Sequence, residues 1–140
     1  SSAQNYNEIG KQKGGTALKA AILYFSRDGE NYVSGAIRYL ARGNTETAAE
    51  FIHARTGADL FRIEPATAYS KDYSTCIEQA KCDQKRDARP ALAVYPRGLE
   101  QYDAIYLGYP NYWGTMPMPV FTLLEAFDFT GKTILPFCTH

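Results

Sequence analysis

Four short apolar runs, each bounded by polar or Gly/Pro-containing segments, organise the chain from Leu18 onward. The first, LKAAILYFS, places Ile22, Leu23, Tyr24 and Phe25 in near-continuous succession. A strand with one wet face alternates apolar and polar residues, and this run does not, so it suits a strand covered on both faces in a parallel sheet. ADLFRIEPA, YDAIYLGYP (strand core 104–108) and KTILPFCTH supply the second, third and fourth strands. After the first strand comes a long polar and Gly-rich connection, RDGENYVSGAIRYLARG. In the following GNTETAAEFIHARTG, Asn44 is placed to cap a helix that turns Ala48, Phe51 and Ile52 inward and stops at Gly57. The second strand begins directly after Gly57, which makes a βαβ unit with a tight turn. A charged amphipathic helix is predicted at 69–86, closed by Pro90, and another at 117–127 with Val120, Phe121, Leu124 and Phe127 at core spacing. The alternation βαβαβαβ predicts one α/β domain over 18–140, a doubly wound parallel sheet. Residues 1–17 are polar and aperiodic and read as a flexible leader.

Length and charge narrow the partners. The 140 residues suffice for one core without disulfide or metal staples. Fifteen Lys plus Arg balance fifteen Asp plus Glu, so there is no basic footprint for nucleic acid or an anionic membrane. No apolar run approaches the roughly 20 residues of a membrane span. Cys76, Cys82 and Cys138 match no zinc spacing and no redox pair, and they read as free thiols. No metal site is expected, and neither a nucleophile motif nor paired carboxylates are present; His53 reads as a solvated helix residue. The expected compartment is the cytoplasm. The Ser-Ser start leaves an exported form with a processed N-terminus as the alternative.

In a doubly wound sheet, ligands sit at the carboxyl ends of the strands. After strand one stand Ser26, Arg27, Asp28, Gly29, Glu30 and Asn31, and the next helix opens with Gly43, Asn44 and Thr45. Hydroxyls, an amide and the unpaired N–H groups of a helix start are the donors that a phosphate needs, and glycine lets the backbone come close. Asn-Thr ahead of a helix also serves as a plain cap, and Arg27 either meets the phosphate or stays solvated. After strand three, Gly108-Tyr109-Pro110-Asn111-Tyr112-Trp113-Gly114-Thr115-Met116 sets the single Trp beside Tyr residues, a surface for stacking a planar ring.

Together these segments resemble the flavodoxin-like flavoproteins, in the group whose phosphate loop is split by an insertion, here residues 30–42. The resemblance covers 18–140 and implies non-covalent FMN, strand order 2-1-3-4, and a fifth strand and last helices absent from this chain. It assigns Ser26, Arg27, Gly29, Asn31, Gly43, Asn44 and Thr45 to the phosphate. Pro110, Asn111, Tyr112, Trp113, Gly114 and Thr115 become the first flavin-flanking loop, with Trp113 stacking, and Thr139 and His140 begin the second. Asp28 stands where the family carries Thr and is expected to turn away or to pair with Arg27. The implied function is electron transfer through the flavin, with no catalytic side chain. A small NAD(P)H- or quinone-type oxidoreductase, or a module with this fold that does not use FMN, are the alternatives. The expected partners are a redox protein or a small-molecule donor or acceptor. A second polypeptide segment or a strand-exchanged copy is also expected beside the apolar edge TILPF.

Overall fold

A computed structural model describes residues 19–139 except 28, 34, 35, 41, 42, 112 and 113, with the backbone alone of 29–33, 39 and 40. The leader expected at 1–17 lies outside them. Four parallel strands, β1 (Ala20–Tyr24), β4 (Asp59–Arg62), β5 (Ala104–Pro110) and β6 (Thr133–Thr139), form one sheet in the order β4-β1-β5-β6. That is the order 2-1-3-4 implied by the family resemblance. β1 is central, and it alternates its side chains between two apolar layers. Ala21, Leu23 and Phe25 join Ile105, Leu107, Val120 and Leu123 on one face, while Ile22 and Tyr24 join Tyr106, Ala49 and Ala58 on the other. Both faces being covered explains the unbroken apolar run.

Three helices connect the strands: α1 (Asn44–Thr56), α2 (Tyr73–Lys85) and α3 (Met118–Ala126). α1 lies on the Tyr24–Tyr106 face through Thr45 and Ala49, which are buried and small enough to let the helix approach. Phe51, expected inside, is 57% exposed. It stands two residues past Ala49, about 200° round the helix, and stacks under the Arg55 guanidinium at 3.8 Å. α2 starts at Tyr73, later than 69, because the Asp72 carboxylate accepts the Thr75 N–H at 2.8 Å and ends the preceding loop. That leaves Tyr69 outside the helix, edge-on to Phe25. On α3 the deepest residues are Val120 and Leu123, while Phe121 is only half-buried beneath Arg89. The 3.6-residue period fits either stripe, and the sheet selects between them.

The connection after β1 is more than a loop. β2 (Gly29–Val33) and β3 (Ala36–Leu40) pair antiparallel, Gly29 opposite Leu40 and Val33 opposite Ala36. The insertion expected at 30–42 is therefore built around a hairpin.

β6 is an edge of the four-stranded sheet. Thr133 donates its N–H to Asp103 O, and Thr139 O accepts from Asn111, so the odd-numbered residues of β6 bond to β5. Pro136, which has no N–H, falls between them and breaks no bond of that ladder. Opposite Phe137 stands Gly108, where a Cβ would meet the Phe137 ring at 2.1 Å. The absent side chain at 108 is thus a packing requirement. A G108A variant should lose about 1–3 kcal/mol in urea unfolding, and F137L should recover part of that loss in the double variant.

Tyr102 ends a short 3₁₀ turn, Leu99–Gln101, and is buried. Its hydroxyl donates to Asp59 at 2.6 Å, tying the entrance of β5 to that of β4. Burial, then the hydrogen bond to Asp59, push its pKa up to about 12. A phenol held neutral in the folded chain stabilises it below pH 10, and that contribution is lost as pH rises through about 12. The stability advantage of the wild type over Y102F, measured by denaturant unfolding across pH 8–12, should shrink along the alkaline limb and stay constant below it.

Candidate functional site

The site begins where β1 stops. Ser26, 7% exposed, stands two residues past the end of the strand, and its Oγ accepts the Glu46 N–H of the first turn of α1 at 3.0 Å. The helix is capped from outside: Gly43 holds the N-cap position with no side-chain bond, and Asn44, expected as the cap, is the first helical residue and is exposed. Gly43 cannot be replaced without displacing its neighbours. A Cβ there would meet Ser26 Oγ at 2.3 Å and Arg27 O at 2.4 Å. By helix geometry the N–H groups of Asn44 and Thr45 find no carbonyl inside the helix. They lie at its positive end, where an anion is favoured.

The far side of the site arrives with β6. Thr45 is 2% exposed, and its hydroxyl meets that of Thr139 at 2.6 Å. The Asn111 N–H donates to Thr139 O at 3.0 Å, carrying the β5–β6 ladder past the end of β5. One chain of hydrogen bonds therefore runs from the start of α1 through the end of β6 to the loop after β5. Gly114 in that loop has φ 83°, a conformation open to glycine, and Thr115 beside it is half-buried.

The sequence-based site residues divide accordingly. The structure brings Ser26, Gly43, Asn44, Thr45 and Thr139 to one end of α1, with Pro110 as the last residue of β5, opposite Thr139, and Asn111, Gly114 and Thr115 on the loop that follows. Arg27 is directed elsewhere: its Nη2 donates to the carbonyls of Ser70 and Lys71, at 3.1 and 2.8 Å, ahead of α2. Gly29 and Asn31 belong to β2, opposite Leu40 and Arg38. Asp28, Tyr112, Trp113 and His140 lie outside the described residues. His53 is exposed on α1, with Nδ1 2.6 Å from Ala58 O.

Two residues at this end were not among those singled out. Arg62, the last residue of β4, donates to Glu46 Oε1 at 2.9 Å and to Ser26 O at 3.2 Å. Glu46 thus binds the strand end through both its N–H and, by way of Arg62, its carboxylate. The sequence signal was an arginine at the carboxyl end of a strand predicted beside β1. A cleft of about 230 Å³ opens beside this network, bounded by Phe25, Ser26, Arg27, Arg62, Glu64 and Lys71. A larger one, about 590 Å³, lies between α2 and the segments flanking Tyr69 and Arg89, and it shares no residue with the Ser26–Thr45–Thr139 cluster.

A flavodoxin family model matches residues 36–140, which span the start of α1, the loop after β5 and the end of β6. The chain belongs to the flavodoxin family. No curated protein matches it closely enough to count as a relative. Among solved structures, it is similar to two provisionally named flavoproteins. One, from Bacteroides eggerthii DSM 20697, is 28% identical at a TM-score of 0.70. The other, from Bacteroides uniformis ATCC 8492, is 29% identical at 0.64. In both cases the match covers 86% of this chain and 70% of the other. A flavoprotein in complex with FMN from Lactobacillus acidophilus NCFM shares the fold at 21% identity and a TM-score of 0.67, covering 87% of this chain and 74% of that one. No helix among the described residues of this flavodoxin-family chain is long and apolar enough to cross a membrane.

The Thr45–Thr139 contact joins the two halves of the site. T45V should cost about 1–3 kcal/mol, because a partly buried hydroxyl loses its partner, and T139V a similar amount. The double variant should cost clearly less than the sum, which a double-mutant cycle in denaturant unfolding measures.

Proposed function

We propose that this chain binds FMN non-covalently and works as a redox flavoprotein. The observation that carries the reading is the convergence of Ser26, Gly43, Thr45 and Thr139 at the positive end of α1 in a flavodoxin-family chain. The donor set suits a phosphate monoester: two hydroxyls, helix-terminal N–H groups, and a glycine whose missing Cβ keeps the strand end close. In this reading Ser26, Gly43, Asn44 and Thr45 hold the phosphate. Pro110, Asn111, Gly114 and Thr115 flank the ring on one side and Thr139 on the other, and Tyr112, Trp113 and His140 are assigned to the same walls from the sequence. Arg27 supports the strand end through Ser70 and Lys71. The bound flavin supplies the electron transfer, and the side chains hold and orient it.

A formal net charge of zero favours a small-molecule donor or acceptor over long-range steering to a strongly charged protein partner. That observation supports an NAD(P)H- or quinone-linked oxidoreductase as the second reading. The visible absorption spectrum of purified protein, before and after incubation with FMN, is the test, and flavin bands that survive gel filtration are expected. S26A should weaken FMN binding about tenfold or more and leave riboflavin binding little changed, since the hydroxyl addresses the phosphate. Protein that stays colourless overturns the reading. Turnover of a reduced nicotinamide with a quinone by loaded protein separates the oxidoreductase from a carrier.

A further inference from the structure

The first turn of α1 carries a charge of the wrong sign for its proposed ligand. Glu46 sits three residues past the N-cap Gly43, and its own N–H is bonded to Ser26 Oγ at 3.0 Å. Its carboxylate therefore stands at the same helix end as the phosphate donors. It is mostly shielded, with 14% of its side chain exposed. A free carboxylate there would oppose a dianionic phosphate, and partial burial would leave that repulsion poorly screened.

Arg62 meets both partners of the cap. Its Nη1 lies 2.9 Å from Glu46 Oε1 and its Nη2 3.2 Å from Ser26 O, while Nε faces Glu64 at 3.2 Å. In the parallel register Arg62 pairs with Tyr24, two residues before Ser26, so the strand itself delivers the guanidinium to this spot. Ser26, Glu46 and Arg62 close a triangle: hydroxyl to N–H, carboxylate to guanidinium, guanidinium to carbonyl. We infer that Arg62 is a positioning residue that holds the Glu46 carboxylate against β4, so that the end of α1 accepts a phosphate. This rests on the FMN reading above and adds to it a residue from β4, a strand end that supplies no ligand contact in that reading. It also gives the pocket a basis for preferring phosphorylated flavin over riboflavin. Without Arg62, the carboxylate loses the positive charge that faces it from β4, and its own charge then opposes the phosphate while the ring contacts stay as they are.

The experiment compares FMN and riboflavin dissociation constants, by flavin fluorescence quenching, for wild type, R62M, E46Q and R62M/E46Q. R62M should weaken FMN about 10- to 100-fold and riboflavin less than about threefold, and E46Q in the R62M background should restore FMN to within about threefold of wild type. E46Q alone, which keeps an oxygen for Arg62, should bind FMN at least as tightly as wild type. It tests the same charge even if R62M fails to fold. The inference is overturned if R62M binds FMN like wild type, if FMN and riboflavin weaken in parallel, if the double variant stays as weak as R62M, or if E46Q alone weakens FMN tenfold. Wild-type protein that binds neither flavin overturns the FMN reading itself, a result distinct from each of these.

Discussion

The bond from the Glu46 N–H to Ser26 Oγ joins the last residue of the buried central run to the first turn of the helix beside it. Everything at the carboxyl end of the sheet is referred to that junction. It requires Gly43, because a Cβ there would collide with Ser26 Oγ and Arg27 O. It also draws Thr45 down onto the sheet, where its hydroxyl reaches Thr139 two strands away from β1. A helix start held this close to a strand end presents its unbonded N–H groups and its positive pole at a fixed place. The placement of this helix start follows from the covalent order strand, hairpin, helix, together with one serine and one glycine.

The remainder of the fold serves to hold that corner rigid. β1 is buried between two apolar layers, so its end cannot shift without disturbing both. The Gly108–Phe137 contact brings β5 and β6 to the spacing at which Asn111 and Thr139 bond beyond the end of β5. Tyr102 and Asp59 tie the opposite end of the sheet, between the entrances of β5 and β4. The hairpin β2–β3 is inserted between the two halves of the site, and Ser26 and Gly43 still meet across it. An insertion is tolerated there because the flanking contacts, rather than the connecting chain, set the geometry.

Where pattern and structure part, the cause is tertiary choice among locally equivalent options. A helix with apolar residues at Ala48, Ala49, Phe51 and Ile52 can present more than one face, and the sheet selects the Thr45–Ala49 face because it allows closer approach. The same selection puts Leu123 rather than Phe121 deepest on α3. The hairpin escaped the pattern because GENYV and AIRYL are short and mixed in polarity, and their pairing is visible only across the two strands. Asn44 is a good cap by type, yet Ser26 performs that role by accepting the N–H of Glu46, 20 residues further along the chain. No local window contains both residues.

Periodicity and punctuation alone determined the four parallel strands, the three helices and the three segments that converge on the site, while the strand order came with the family resemblance. Apolar runs, glycines and prolines act over a few residues, and those elements follow from them. Only the tertiary structure decided which donors meet: Ser26 with Glu46, Thr45 with Thr139, and Arg62 with both Ser26 and Glu46. Arg27, the arginine nearest the expected phosphate loop, turns to Ser70 and Lys71, while Arg62 on the neighbouring strand arrives in register at the helix start. Parallel strands bring distant residues side by side at their carboxyl ends, so the chemistry of such a site is set by register between strands, which local sequence does not encode.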